Sequence, residues 1–329
     1  MMALCNIGLA DRCSLEFCCE KDTWCRTFIS QNHCPKKLLS DITTRPAATM
    51  PHCDLYVAGF PCQPFSSAGL RQGRDDASGR GTIIDHIINY LRHHHPRAFI
   101  LENVIGITST KFADTFQHIL LELRAITGDD GSHYIVTYRV VNTANWGLPH
   151  HRERVYIIGL WTATMNKASP FLWPRAATHS VPIDDLLDST CAGGPAALGS
   201  LGPSCRTKLQ AYLQQLCSAG HNPHKDTWII DVFSTKIHGM KGQSPCLTRT
   251  RCGAGGHWVS NLSRLLTVPE MLSLQGMSSN TLNRVGISNR QMGLMIGNAM
   301  SVNVLERLLL RLLPAVGLAD RSCLQDRWH

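Results

Sequence analysis

A cysteine between two prolines is the first residue whose setting indicates chemistry. Cys62 lies in the run Gly59-Phe60-Pro61-Cys62-Gln63-Pro64, just after an apolar stretch typical of a strand, Cys53–Gly59. A strand followed by a glycine and a rigid proline presents the next side chain at the carboxyl edge of a sheet. A thiol at that place is a candidate nucleophile, although most of the 14 cysteines are expected to be small buried hydrophobic residues.

Two further segments supply charged groups that such a thiol could use. The apolar strand Phe99–Leu101 is followed by Glu102, and because strand carboxyl ends line one crevice, Cys62 and Glu102 are predicted to face the same pocket. Arg152 and Arg154 are two positions apart in an extended stretch, so their side chains point to the same face. These groups suit attack on an electron-poor ring held by hydrogen bonds. Singly, the glutamate could equally cap a helix, and the arginines could begin an exposed basic strand.

The elements around these residues predict an α/β fold with a doubly wound, mainly parallel sheet and late strands that pair antiparallel. Predicted strands are Ser14–Cys19, Leu55–Ala58, Ala98–Leu101, Tyr134–Val141 and Val155–Leu160, and predicted helices are Thr23–Gln31, Ile83–Arg92 and Phe112–Ile126. Residues 1–170 are accordingly predicted to be the N-terminal part of a catalytic domain.

The remainder divides into an insertion and a return segment. Residues 171–262 are rich in glycine and proline and predict a smaller, irregular, β-rich domain without a long helix. Residues 263–329 are predicted to complete the first domain through helices that include Val268–Gln275, Asn289–Leu294 and a last helix, Ser301–Leu313. That helix should end before Pro314, and the tail from Gly317 should be poorly ordered.

Charge and composition bear on partners and compartment. The net charge of +8 favours a polyanionic partner, although an excess of this size is common without one. No acidic residue lies between positions 232 and 269, so this basic stretch is a candidate phosphate-facing surface; a solvated loop is the alternative. The candidate DNA-binding residues there are Lys236, Lys241, Arg249 and Arg251. We expect no metal site, no membrane span and an intracellular protein, nuclear in a eukaryote and cytoplasmic in a prokaryote or virus.

Four segments taken in order resemble the signature motifs of the cytosine-C5 DNA methyltransferase family. They are Pro61-Cys62-Gln63, Glu102-Asn103-Val104, the Arg152 and Arg154 pair, and Gly297-Asn298. The resemblance implies the S-adenosylmethionine-dependent methyltransferase fold and a covalent adduct between Cys62 and C6 of a cytosine flipped out of duplex DNA. Glu102 would then hold the ring N3 and the exocyclic amine, Arg154 the base O2, and Arg152 would support the site electrostatically.

The resemblance also implies a pocket for S-adenosylmethionine and a target-recognition domain at residues 171–262. Glu20 would bind the cofactor ribose and Asp41 the adenine amine. The other cofactor-binding residues that it implies are Lys21, Ile42, Gly59, Pro61, Ile83, Asn298 and Ser301.

Two departures from the family pattern lead to further expectations. The family begins with a strand and a Phe-x-Gly-x-Gly turn that has no counterpart here, so we expect an N-terminally truncated chain with unpaired sheet edges and weakened cofactor binding. His150 replaces the glutamine usual two positions before the first arginine. The alternatives are a tRNA cytosine-C5 methyltransferase, although its Cys-Phe-Thr tripeptide is absent, a catalytically impaired DNA-binding relic, and a thiol-dependent hydrolase.

Overall fold

The chain divides into two compact units. The computed structural model describes residues 1–61, 65, 79–191, 193 and 195–328, with the backbone alone at 195 and 196. The first unit comprises Met1–Val141, Glu153–Arg175 and Glu306–Arg327, and the second Asn142–Arg152, Ala176–Leu305 and Trp328–His329. The assignment of catalytic and recognition roles to residues 1–170, 171–262 and 263–329 stays a prediction.

The first unit contains two sheets. Its strands are β1 (Phe17–Cys19), β2 (Lys37–Leu39), β3 (Leu55–Gly59), β4 (Ala98–Val104), β5 (Tyr134–Asn142) and β6 (Glu153–Trp161). β1 and β2 form a parallel pair, and the second sheet has the order β3-β4-β6-β5. β3 is parallel to β4, and β6 is antiparallel to β4. In the described part of the chain no strand joins β1 to β3. The predicted α/β fold with an antiparallel late strand is confirmed.

The helices of the first unit are α1 (Met2–Asn6), α2 (Thr23–Asn32), α3 (Ile83–His94), α4 (Ala113–Arg124) and the part of α10 (Val302–Ala315) that follows Leu305. α3 and α4 bury their apolar stripes in one cluster with residues of β3, β4, β5 and β6. Ile84, Ile87 and Leu91 recur at helical spacing on α3 and are at most 1% exposed. Strand β4 is buried on both faces, which explains its unbroken apolar run.

The end of the chain differs from its prediction in two ways. α10 continues to Ala315 with Pro314 inside it, because a proline in the last turn removes only one hydrogen bond from a helix whose apolar side is buried. The tail is ordered rather than loose. Arg327 donates to both carboxylate oxygens of Glu306, at 2.9 and 2.8 Å, and the Gln325 N–H donates to Ile7 O at 3.0 Å. Glu306 is fully buried, and a buried carboxylate requires such partners.

The second unit contains an antiparallel sheet and a group of helices. The sheet has the order β10-β9-β7-β8, and its strands are β7 (Trp228–Asp231), β8 (His238–Lys241), β9 (Trp258–Val259) and β10 (Arg264–Leu265). The helices are α5 (Pro195–Gly199), α6 (Pro203–Ser218), α7 (Arg249–Gly253), α8 (Val268–Leu274) and α9 (Asn289–Asn298). The expectation of no long helix was wrong, because the 16-residue α6 packs Leu209 and Leu216 into one cluster with Trp228, Ile230 and Trp258. No helix in the described ranges is both long and apolar enough to cross a membrane.

A buried ion pair stabilises the second unit. Arg264 donates to the two carboxylate oxygens of Glu270 at 2.9 and 2.6 Å, and both residues are less than 10% exposed. Glu270 also accepts the N–H groups of Thr267 and Asp188 at 2.7 and 2.8 Å. Burial alone would raise the pKa of Glu270. The hydrogen bonds from Arg264 and from the two backbone N–H groups together outweigh burial, so the pKa lies below its ordinary value of 4.5.

Replacing Arg264 by leucine is expected to lower the free energy of unfolding by about 3–5 kcal/mol, because Glu270 would stay buried without its cation. A lowered folded-state pKa stabilises the protein above the unfolded value of 4.5, and this contribution is lost as the pH falls through the folded-state value. The difference between the wild type and R264L should therefore shrink below about pH 4.5 in urea unfolding titrations between about pH 3 and 7. R290L, at an exposed position on α9, is the control; an equal loss in R290L would contradict the role of the pair.

Candidate active site

A carboxylate and a guanidinium meet at the end of β4. Glu102 lies opposite Tyr156 in the antiparallel ladder and Arg154 lies opposite Val104, so Glu102 and Arg154 are diagonal neighbours. Arg154 Nε is 3.2 Å from Glu102 Oε1, and the two side chains are only 13% and 10% exposed. A guanidinium so placed fixes the orientation of the carboxylate. The structure thus brings together two of the four predicted catalytic residues.

The segment that leads to Cys62 starts beside Glu102. Gly59, the last residue of β3, pairs with Glu102 in the parallel ladder. The carbonyl of the next residue, Phe60, accepts a hydrogen bond from Asn103 Nδ2 at 3.3 Å, and Asn103 is fully buried. Cys62 itself lies outside the described residues, so its predicted position facing Glu102 stays a prediction.

An aromatic residue just beyond Cys62 anchors the other side of this segment. Phe65 is 1% exposed, and its ring packs edge-on against Phe112 with 5.3 Å between the ring centroids. The centroid of the Phe60 ring lies 6.5 Å from that of Phe65. The chain is therefore held in the first unit both before and after Cys62.

Arg152 lies in the second unit, and its guanidinium binds backbone carbonyls. It is 2% exposed and donates to Leu247 O at 3.0 Å, Gly297 O at 3.3 Å and Ala299 O at 2.7 Å. These bonds hold two chain segments together within the unit. The predicted electrostatic role of Arg152 toward Cys62 stays a prediction.

Several predicted cofactor-binding residues lie at the carboxyl ends of β1 and β2. Because these strands are parallel, Glu20 and Lys21 end up beside Asp41 and Ile42 at one edge. Lys21 Nζ is 3.3 Å from Asp41 Oδ2, and the Thr43 N–H donates to Asp41 Oδ1 at 2.9 Å. That backbone bond is the main cause that lowers the pKa of Asp41. Two partly exposed carboxylates at one edge fit the hydroxyl and amine donors of an adenosine group.

The remaining predicted cofactor-binding residues are divided between the units. Gly59 and Pro61 follow β3, and Ile83 begins α3, all in the first unit. Asn298 ends α9 and Ser301 precedes α10, both in the second. Ser301 Oγ bonds Thr143 Oγ1 and Gln275 Oε1, each at 2.9 Å, so within its unit this hydroxyl already has two partners. Their cofactor roles stay predictions.

The candidate DNA-binding residues of the second unit differ in their partners. Lys241 Nζ is 2.9 Å from Asp226 Oδ2, and Arg251 Nε is 2.9 Å from Asp231 Oδ2. The stretch without acidic residues is therefore partly neutralised by two carboxylates that precede it in the chain. Lys236 and Arg249 are exposed.

The fold is that of solved methyltransferase structures. The Entamoeba histolytica methyltransferase EhMeth has a similar structure, with a TM-score of 0.61 and 16% sequence identity over 92% of this chain and 90% of that chain.

Sequence comparison identifies the family. The chain belongs to the C-5 cytosine-specific DNA methylase family, whose sequence profile matches residues 4–313. It is 32% identical to the type II methyltransferase M.NgoBI of Neisseria gonorrhoeae over 295 aligned residues. This alignment covers 89% of this chain and 84% of the relative. It is 29% identical over 314 residues to the type II methyltransferase M.HaeII of Haemophilus aegyptius, covering 95% and 90%. The prediction of a DNA cytosine-C5 methyltransferase is confirmed at the level of the family.

Proposed function

We propose that this chain transfers a methyl group from S-adenosylmethionine to C5 of a cytosine flipped out of duplex DNA. The observation that carries the proposal is the 3.2 Å pair of Glu102 and Arg154 beside the strand that leads to Cys62. A thiol, a carboxylate and a guanidinium match the three groups that attack at C6 of a cytosine ring requires. When bound, S-adenosylmethionine supplies an electrophilic methyl group.

Each catalytic residue has one task in this reaction. The Cys62 thiolate forms a bond to C6, and the electron pair of the C5–C6 double bond becomes available at C5. The Glu102 carboxyl gives a proton to N3 and accepts a hydrogen bond from the exocyclic amine, and Arg154 donates to the base O2, so the negative charge that develops on the ring is neutralised. N3 returns this proton to Glu102 when the thiolate leaves. After methylation, loss of the C5 proton to water restores the double bond and expels the thiolate. Arg152 supports the site electrostatically.

The carboxyl ends of β1 and β2 form the adenosine end of the proposed cofactor pocket. Glu20 would accept hydrogen bonds from the ribose hydroxyls and Asp41 from the adenine amine, because carboxylates are the strongest acceptors among side chains. Lys21, Ile42, Gly59, Pro61, Ile83, Asn298 and Ser301 complete this pocket in the proposal. The partly exposed carboxylates at that edge support it.

Residues 171–262 form the proposed target-recognition domain, and residues 1–170 with 263–329 the catalytic domain. Lys236, Lys241, Arg249 and Arg251 contact the DNA phosphates in this proposal, supported by the exposure of Lys236 and Arg249. With DNA as its substrate, the enzyme acts in the cytoplasm of a prokaryotic cell or in the nucleus of a eukaryotic one.

Label transfer tests the substrate class. The protein is incubated with S-adenosylmethionine labelled in its methyl group and with either duplex DNA or tRNA, and the nucleosides are then separated. We expect label in 5-methylcytosine from DNA and none in tRNA. Label in tRNA alone would contradict the proposal, and a gel shift of DNA without any transfer would indicate a DNA-binding relic.

A further inference from the structure

Both backbone polar groups of Leu247 are bound by side chains of one short segment, residues 150–152. The Leu247 N–H donates to His150 Nε2 at 3.0 Å, and its carbonyl accepts from Arg152 Nη1 at 3.0 Å. Leu247 and His150 have no exposed surface, and Arg152 is 2% exposed. Buried backbone groups need partners, so these two side chains fix where the chain runs at Leu247.

The hydrogen-bond partners of His150 determine which of its ring nitrogens carries the proton. A backbone N–H only donates, so Nε2, which faces the N–H of Leu247, carries no proton. A carbonyl only accepts, so Nδ1, 3.1 Å from Leu274 O, carries the proton. Glutamine offers the same two functions, an acceptor oxygen and a donor nitrogen, whereas an apolar side chain offers neither.

The helix that follows Leu247 is held on two further sides. α7 lies directly on α9, because Gly293 and Gly297 of α9 have no Cβ. The backbone of Cys252 and of Arg249 occupies the space that a Cβ would need. Arg251 on α7 pairs with Asp231 at the end of β7 at 2.9 Å. Arg152 adds bonds to Gly297 O and Ala299 O, so the end of α9 and Leu247 share one guanidinium.

These contacts leave a short polar segment exposed between fixed neighbours. Thr248, Arg249 and Thr250 are exposed, while Leu247 before them and Cys252 after them are at most 1% exposed. An arginine between two hydroxyl side chains is suited to phosphate oxygens and to base edges. A side chain on a rigidly held backbone loses little conformational freedom when it binds, which favours affinity and discrimination between ligands.

We propose that His150 and Arg152 are positioning residues that hold Thr248-Arg249-Thr250 for contact with duplex DNA. The inference rests on the proposed function in taking DNA as the partner. In this positioning role neither side chain touches DNA, and both act through the backbone of Leu247; the electrostatic role proposed for Arg152 is separate from it.

Variants of His150 test the inference. In H150L a buried N–H and a buried carbonyl lose their partner, and we expect the Kd for duplex DNA and the KM for DNA to rise about ten-fold or more. The KM for S-adenosylmethionine and the kcat at saturating DNA should stay within about two-fold, and H150Q should restore the wild-type Kd. R249A should raise the Kd similarly, and the double variant H150L/R249A should add little, because both changes remove the same contact.

A matched control separates positioning from general stability. Ser260 is also buried in the second unit and bonds the Trp228 N–H at 3.0 Å and Asp226 O at 3.1 Å. S260A is expected to lower the Tm as H150L does, with an unchanged Kd for DNA. Fluorescence anisotropy gives each Kd, and thermal unfolding followed by circular dichroism gives each Tm.

Three results would overturn the inference: an unchanged Kd in folded H150L, a failure of H150Q to restore it, or an equal rise in S260A. A wild type that binds no duplex would overturn it as well. A wild type that binds DNA but transfers no methyl group would overturn the proposed function alone, since the Kd series would still decide the role of His150.

Discussion

Replacing Cys62 by serine is expected to reduce methyl transfer to DNA by more than about a thousand-fold, because loss of a covalent nucleophile removes the step on which the others depend. A hydroxyl is far less acidic and less nucleophilic than a thiol, so the bond to C6 would form too slowly to detect. Initial rates of label transfer from S-adenosylmethionine into duplex DNA measure the effect. DNA affinity should be retained, because serine differs from cysteine in a single atom.

Cys217 provides the matched control for this change. It is an exposed thiol near the end of α6, and C217S is expected to keep the wild-type rate. A C62S variant that retains more than a small fraction of activity would place the nucleophile elsewhere. A comparable loss of activity in C217S would mean that both variants lose activity through thiol chemistry unrelated to the site.

Replacing Glu102 by glutamine is expected to lower kcat by about 10²- to 10⁴-fold with a small change in the KM for DNA. The amide keeps the shape of the side chain but cannot stabilise a protonated N3, and it no longer holds the guanidinium of Arg154 at 3.2 Å. Steady-state kinetics with varied DNA concentration separate the two parameters. E153Q is the control, because in an extended strand Glu153 points to the opposite face from Arg154.

A double-variant cycle tests whether Glu102 and Arg154 act as one unit. R154A leaves a carboxylate that is 10% exposed without this partner, so it should impair catalysis both directly and through Glu102. The combined loss in E102Q/R154A should therefore be smaller than the product of the single losses. Strictly multiplicative losses would contradict the coupling that the ion pair implies.

Much of the first unit could be predicted because periodicity reports burial. The spacing of Ile84, Ile87 and Leu91 predicts α3, and the apolar run at β4 predicts a strand buried on both faces. β2 was missed because three residues that begin with an exposed lysine carry too little pattern. α6 was missed because glycines and prolines before and after it obscure a helix whose proline lies in its first turn.

The candidate site was predictable where one rule of topology sufficed. Carboxyl ends of parallel strands share one edge, and this rule placed Glu102 beside the end of β3. The partners of Lys241 and Arg251 could not be predicted, because Asp226 and Asp231 reach them only through the pairing of β7 in the fold. The binding of Leu247 by His150 likewise joins positions 97 residues apart, a contact that no local pattern reports.

The most direct test of the central claim is the site of covalent attachment to DNA. In a duplex whose target base is 5-fluorocytosine, C5 has no proton to lose after methylation, so the bond between the thiol and C6 cannot be broken by elimination. With S-adenosylmethionine present, peptide mass spectrometry of the trapped complex should find the modified base on Cys62. Attachment at another cysteine, or no attachment by a protein that methylates ordinary DNA, would contradict the assignment of Cys62 as the nucleophile.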